Sequence, residues 1–203
     1  MPGSLNNKRV AILVTDGFEQ AELTGPKQAL EQLGAKVDIV SASEGQVKGW
    51  NHDKPADDFP IDLTFKAANV EQYDAVVLPG GVQNSDTIRI DPDAQKLVKG
   101  FETAGKPIAV ICHGGWLLVS SGLVKGKTMT SYKTLKDDLV NAGANWVDQE
   151  VVKDGTWISS RQPDDIPVFN KTMIQLFGES FKSHRAARTE KATPKQKGAT
   201  SGR

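Results

Sequence analysis

The apolar positions of this chain fall into short, unbroken runs separated by polar, glycine-rich punctuation. Arg9 to Val14, Lys36 to Val40, Asp74 to Leu78 and Pro107 to Ile111 are each five or six residues long. A strand that is apolar without alternation is covered on both faces, as in a parallel sheet. Between the first two runs, Thr24 to Leu33 reads as a helix, with Leu30 and Leu33 on one side and Gly34 placed to end it. Strand, helix and strand in that order form a βαβ unit, whose crossover implies parallel pairing. Asp91 can cap a second helix whose first position suits Pro92, running to about Thr103 and closed by Gly105. Further along, the pattern predicts a helix over Trp116–Val119, a short strand around Met129 and a helix from Thr134 to Asn141. A hairpin over Val151–Ser159 turns at Asp154-Gly155, and an amphipathic helix spans Ile166–Phe181. Ser41 to Asn69, punctuated by Gly45, Gly49, Pro55 and Pro60, is loop-rich with room for a small hairpin. The outcome is an α/β chain: a flexible N-terminus over 1–7, one domain over 8–183, and a tail over 184–203. That tail lacks periodicity and is expected to be disordered.

Composition narrows the picture. With 203 residues, 38% of them apolar, the chain suits one domain with a sizeable core and is not wholly disordered. No apolar run approaches the roughly 20 residues of a membrane span. Met1 to Lys8 lacks the architecture of a signal peptide, so a soluble, cytoplasmic protein is expected. The 25 basic and 25 acidic residues argue against a generic nucleic-acid binder. From Arg185 onward, however, six basic residues face one acid, leaving 19 basic against 24 acidic residues before them. The body is acidic, and the basic tail reads as a solvated extension. A single cysteine, Cys112, excludes an intramolecular disulfide and a multi-thiolate zinc site. The three histidines, at 52, 113 and 184, are scattered. Neither a metal nor a cofactor is expected.

Cys112 is the residue that calls for explanation. An isolated cysteine is usually an inert core thiol, but this one ends a buried strand and is followed by His113-Gly114-Gly115 and a helix. A nucleophile on such a turn stands at the carboxyl edge of the sheet, where open α/β folds bind ligands. The helix start supplies free N–H groups and positive potential, which lower a thiol pKa and can hold an oxyanion. Pro79-Gly80-Gly81 ends the expected neighbouring strand and can turn backbone N–H groups toward the same crevice. Glu19, after the first strand, reaches the same edge and could hydrogen-bond the sulfur; a protonated carboxyl there requires burial. His113 is a candidate base, although adjacent side chains diverge at a helix start, and its backbone N–H can serve either way. Asp86 is an acid that could orient His113. Trp116, Trp146 and Trp157 read as core or interface aromatics. Trp50 and His52 lie where they could line a pocket or meet another subunit.

These residues together resemble the ThiJ/PfpI superfamily, in particular its PfpI-like intracellular protease and general stress protein branch. The resemblance rests on Asp16-Gly-Phe-Glu19, Leu78-Pro-Gly-Gly81, Ile111-Cys-His-Gly114, Asp148-Gln-Glu-Val-Val152 and the segment from Ser160 to Phe169, and covers about residues 8 to 179. It implies a flavodoxin-like, class I glutamine-amidotransferase-like three-layer sandwich with a mostly parallel sheet. It also implies a nucleophile elbow at Cys112 in strained geometry, a hydrogen bond from Glu19, and an oxyanion hole from Gly81 and an amide near His113. A homodimer or hexamer is implied, with an acid from a neighbouring subunit orienting the histidine. Asp86 matches that acid, although Ser85 replaces the usual proline and the loop is one residue longer. The implied chemistry is peptide hydrolysis, or action on glyoxals, other small carbonyl compounds and glycated proteins. A redox sensor or chaperone working through oxidation of Cys112 is the alternative of another class.

Overall fold

The computed structural model describes residues 4–192, with side chains described through residue 181. Its centre is a seven-stranded sheet. The strands are β1 (Arg9–Leu13), β3 (Lys36–Ser41), β6 (Leu63–Thr64), β7 (Ala75–Leu78), β8 (Ile108–Ile111), β11 (Val151–Asp154) and β12 (Trp157–Ser160). Their order across the sheet is β11-β12-β8-β7-β1-β3-β6. Every pairing is parallel except that of β11 with β12. The continuous apolar runs therefore do what their pattern predicts: β7 and β8 are buried at every position.

Alternation within each run feeds two separate cores. Ile39, Ile12, Val77, Ala109 and Ile158 lie in register across five strands. They pack with Leu23 and Leu30 of α1 (Gln20–Glu31) and with Phe169, Met173 and Phe177 of α6 (Ile166–Ala192). Ala11, Leu13, Val76, Leu78, Ile108 and Val110 face the other way. They meet α3 (Pro92–Thr103), α4 (Gly115–Ser120) and α5 (Lys136–Asn141) through Val98, Phe101, Leu117, Leu118 and Leu139. Each fully buried Leu, Ile or Phe contributes about 1.5–3 kcal/mol, so two-sided burial fixes a three-layer sandwich.

The loop-rich stretch is more ordered than its composition suggests. β4 (Gln46–Asn51) and β5 (Lys54–Pro60) form the expected hairpin, and β4 pairs in parallel with β2 (Phe18–Glu19). Phe18 meets Phe59 edge-on at 5.6 Å between ring centroids. This brings the hairpin, with Trp50 and His52, over the end of β1. β9 (Thr128–Met129) pairs with β10 (Asn145–Trp146) in a small separate ladder.

Several helices differ from expectation; the one expected from Thr134 opens as a 3-10 turn, Lys133–Leu135, before α5. α1 begins at Gln20 rather than Thr24 and carries Pro26 inside it; Gly25-Pro26 mimics a helix start, but the buried Leu23, Pro26 and Leu30 hold one continuous helix against the sheet. A helix α2 (Val82–Ile88), not predicted, follows Gly81. The last helix runs beyond Phe181 to Ala192. The tail expected to be disordered from 184 thus starts as helix, and the N-terminus expected to be flexible is tied down at Leu5, which is buried and donates its N–H to the Leu33 carbonyl at 2.8 Å; residues 193–203 and 1–3 lie outside the described residues.

Candidate active site

The carboxyl ends of β1, β7 and β8, neighbours at the centre of the sheet, converge on Cys112. The residue leaves β8 with φ of 60° and opens a tight 3-10 turn, Cys112–Gly114, that leads into α4. This left-handed conformation costs a non-glycine residue about 1–3 kcal/mol and persists only where the surroundings enforce it. They do so here. The Tyr132 N–H donates to the Cys112 carbonyl at 3.2 Å. On the other side lies Gly80, where an added Cβ would stand 2.7 Å from both Cys112 Cβ and the His113 nitrogen. Only glycine lets β7 end so close to the elbow. Gly81 has φ of 85°, and a Cβ there would meet the Gly17 carbonyl oxygen at 2.3 Å.

The carboxyl beside the sulfur belongs to Glu22, in the first turn of α1. Its Oε2 accepts from the Gly80 N–H at 2.6 Å, its Oε1 has no hydrogen-bond partner among the described residues, and the carboxyl stands beside the Cys112 thiol and acts on it electrostatically. No part of Glu22 is exposed. Burial pushes its pKa up from 4.5 to about 8, against the pull of the Gly80 N–H and the thiol, so at neutral pH it is a neutral acid that can donate to sulfur. Glu19, expected in this role, is placed otherwise: its Oε2 accepts from the His52 backbone N–H at 3.0 Å. The correction follows from the helix start. With α1 beginning at Gln20, Glu19 is the residue before the helix and points to the hairpin, whereas Glu22 shares the buried face with Leu23 and Pro26. A carboxylate on the apolar side of an amphipathic helix was the signal available in the sequence.

Cys112 is 7% exposed. The helix-start N–H groups of His113 and Gly81 draw its pKa down as expected, but burial outweighs them and pushes the thiol well above its ordinary value, as would a charged Glu22. This runs against the low-pKa thiolate expected from the helix start and favours a thiol deprotonated by a neighbouring base. His113 is in position to be one. Its Nδ1 lies 3.2 Å from Cys112 Sγ and its Nε2 3.3 Å from Thr134 Oγ1. The ring stacks on Tyr132 at 4.9 Å between centroids, and burial lowers its pKa to about 4, leaving it neutral. The turn at Gly114 thus brings together side chains that would diverge on a regular helix. Asp86 is exposed on α2, and no hydrogen bond joins it to His113 among the described residues. The pairing expected of these two is one between subunits.

Above the sulfur opens a cavity of about 650 Å³, bounded by Glu19, His52, Trp116, Tyr132, Thr134 and Gln162 among others. A neighbouring cavity of about 480 Å³ shares Glu19, His52, Gly81 and Trp116 and extends to Trp50 and Asp86. Trp50 and His52 line pockets as the sequence allowed, and Trp116 stands at the site; Trp157 is core. Tyr132, Thr134 and Gln162 were not singled out, because only the tertiary fold carries them here. Among the described residues no group of three or more potential metal ligands occurs, and no helix is long and apolar enough to cross a membrane.

A mostly parallel sheet covered on both faces, with a cysteine on the turn from a central strand into a helix, defines a flavodoxin-like α/β protein. The chain belongs to the DJ-1/PfpI family, whose defining pattern matches residues 8–176. It is 38% identical over 168 residues to Deglycase PfpI of Pyrococcus furiosus, covering 83% of this chain and 98% of that one. It is 36% identical over 174 residues to protein/nucleic acid deglycase 2 of Escherichia coli, covering 85% and 99%. Among solved structures, a two-domain protein of Anabaena variabilis with DJ-1/ThiJ/PfpI-like and ferritin-like domains superposes with a TM-score of 0.79 at 32% identity. That match covers 85% of this chain and spans about half, 48%, of the longer one.

Proposed function

We propose that this protein is a cysteine-dependent enzyme acting on reactive carbonyls, such as glyoxals and the early adducts they form on proteins. The observation that carries the proposal is one sulfur, at the floor of an open cavity, in contact with a neutral imidazole and set beside a buried carboxyl and two backbone N–H groups. His113 Nδ1 takes the Cys112 proton as sulfur attacks the carbonyl carbon. The S–C bond forms, the C=O π pair moves to oxygen, and the N–H groups of Gly81 and His113 hold the developing charge. The proton then passes from the imidazole to that oxygen, closing a hemithioacetal. Glu22 donates to sulfur throughout, and a neutral carboxyl does so without repelling the charge that builds there. Relatives named as deglycases support the carbonyl reading. Peptide hydrolysis would use the same elbow, but an aldehyde reaches a small thiol site without a peptide cleft. The raised thiol pKa weighs against a redox sensor, because oxidation follows thiolate character.

The test is consumption of methylglyoxal by wild type and by Cys112→Ala. Wild type should consume it and the variant should stay at background; equal rates would overturn the proposal.

A further inference from the structure

Asn84 lies on the inner face of α2 with no exposed surface, and its side-chain amide ties together the ends of two central strands. We propose that Asn84 is a positioning residue: by donating to the Gly80 carbonyl it locks the Gly80–Gly81 peptide with its N–H toward the Cys112 sulfur, where that N–H can hold the oxygen of the substrate carbonyl. This rests on the reading of Gly81 as an oxyanion donor and adds the group that aims it.

All four hydrogen-bond directions of an amide matter here. Asn84 Oδ1 accepts from the Thr15 N–H at 2.7 Å, just past β1, and from the Thr15 hydroxyl at 3.1 Å. Its Nδ2 donates to the carbonyls of Gly80 at 2.9 Å and Pro79 at 3.2 Å, just past β7. A backbone N–H only donates and a carbonyl only accepts, so a single orientation of the amide satisfies these partners. Thr15, Pro79, Gly80 and Asn84 are all buried, and the arrangement is complete within one chain.

The peptide between the two glycines is the one that needs a lock. In a planar trans peptide the carbonyl and the N–H point in opposite directions, so holding the Gly80 oxygen fixes the direction of the Gly81 N–H. That N–H faces the Cys112 sulfur. Residue 81 must be glycine for space, because a Cβ there would stand 2.3 Å from the Gly17 carbonyl oxygen. Glycine visits positive and negative φ about as readily, however, so its φ of 85° has no preference of its own over a rotated peptide with the N–H turned away. The neighbouring peptides are held by other groups: the Gly80 N–H donates to Glu22, and the Gly81 carbonyl accepts from the Ser85 N–H at 2.9 Å. On the Gly80 oxygen the Asn84 amide is the close partner, since the Glu19 N–H reaches it only at 3.4 Å.

The experiment uses two features of the sequence. Gly-Gly pairs occur twice, at Gly80-Gly81 and Gly114-Gly115, so glycine labelled with carbon-13 at the carbonyl and with nitrogen-15 marks the amides of Gly81 and Gly115 by their carbon–nitrogen coupling. Cys112 is the only cysteine, so carbon-13 at the cysteine β position marks one methylene. Full-length wild type, Asn84→Asp and Asn84→Ala carry both labels, Gly115→Ala assigns the two amides, and methylglyoxal turnover is measured on the same samples. Wild type should show a nuclear Overhauser contact between the Gly81 amide proton and the Cys112 methylene. Asn84→Asp keeps the shape and the Thr15 contact but loses both donors; it and Asn84→Ala should lose most of that contact and lower kcat at least about tenfold, with KM within about twofold. Asn84→Asp decides where Asn84→Ala does not fold. A wild type without the contact, a folded variant that keeps it, or a kcat unchanged by its loss overturns the proposal. Cys112→Ala run alongside separates the two readings: retained turnover in that variant would defeat the carbonyl chemistry, while the Gly81 contact would still decide whether Asn84 sets the peptide.

Discussion

Glu22 gives the sharpest quantitative test, because a fully buried carboxyl with a raised pKa makes stability depend on pH in a direction that can be worked out beforehand. Below pH 4.5 Glu22 is protonated in the folded and unfolded chains and adds no slope. Between 4.5 and about 8 the unfolded chain releases the proton while the folded chain keeps it. The folded state then binds more protons, and stability falls as pH rises, by about 1.4 kcal/mol per pH unit. Above about 8 both states are ionised and the loss levels off near 5 kcal/mol, of which about 3 kcal/mol has accrued by pH 7. Glu22→Gln removes this titration and keeps an oxygen for the Gly80 N–H. The stability of the variant minus that of wild type should therefore climb steadily from pH 5 to pH 8, while titrations elsewhere cancel in the difference. Urea unfolding followed by the fluorescence of the four tryptophans, at one protein concentration and several pH values, reads it directly. Parallel stability curves for the two proteins would show that Glu22 is not held protonated by burial, and the description of the sulfur's surroundings would fail with it.

Two further outcomes follow from the same geometry. Cys112 is the only cysteine, so iodoacetamide labelling reports one thiol. Glu22→Gln should move the pH profile of labelling to lower pH, because the variant lacks the negative charge that opposes the thiolate above about pH 8. Glu19→Gln should leave the profile within about twofold of wild type at each pH, and an equal shift from Glu19 would reverse the assignment of the carboxyl. Gly80→Ala drives a methyl to 2.7 Å from Cys112 Cβ and the His113 nitrogen and to 2.8 Å from Glu22 Oε2. It should cost about 1–3 kcal/mol in urea unfolding and lower methylglyoxal turnover more than tenfold; wild-type values for both would mean the elbow tolerates displacement.

What the sequence made legible divides along a physical line. The four apolar runs and the elbow were readable because each depends on local pattern: continuous burial for a parallel strand, and a nucleophile followed by two glycines where the strand must turn. Asp91-Pro92 was readable for the same reason, and the Asp91 side chain does accept from the Asp93 and Ala94 N–H groups at 2.9 Å. The start of α1 was not, because Gly25-Pro26 carries the local signature of a boundary that tertiary packing overrides. Glu19 carries the local signal of a carboxyl just past the first strand, whereas Glu22 reaches the sulfur only through the buried face of α1. Tyr132 carries no local signal and Thr134 only that of a helix start; both reach the site through the small β9–β10 ladder and a backbone bond from Tyr132 to Cys112. The pKa values were beyond local pattern too, since the sign of the thiol's shift depends on how deeply the elbow sits. A helix start argues for a thiolate and burial argues against it, and the weight of burial is set only by the packed structure. In the proposed chemistry, activation then passes from the elbow's own electrostatics to the imidazole beside it, and the groups that aim His113 weigh as heavily as those that surround the sulfur.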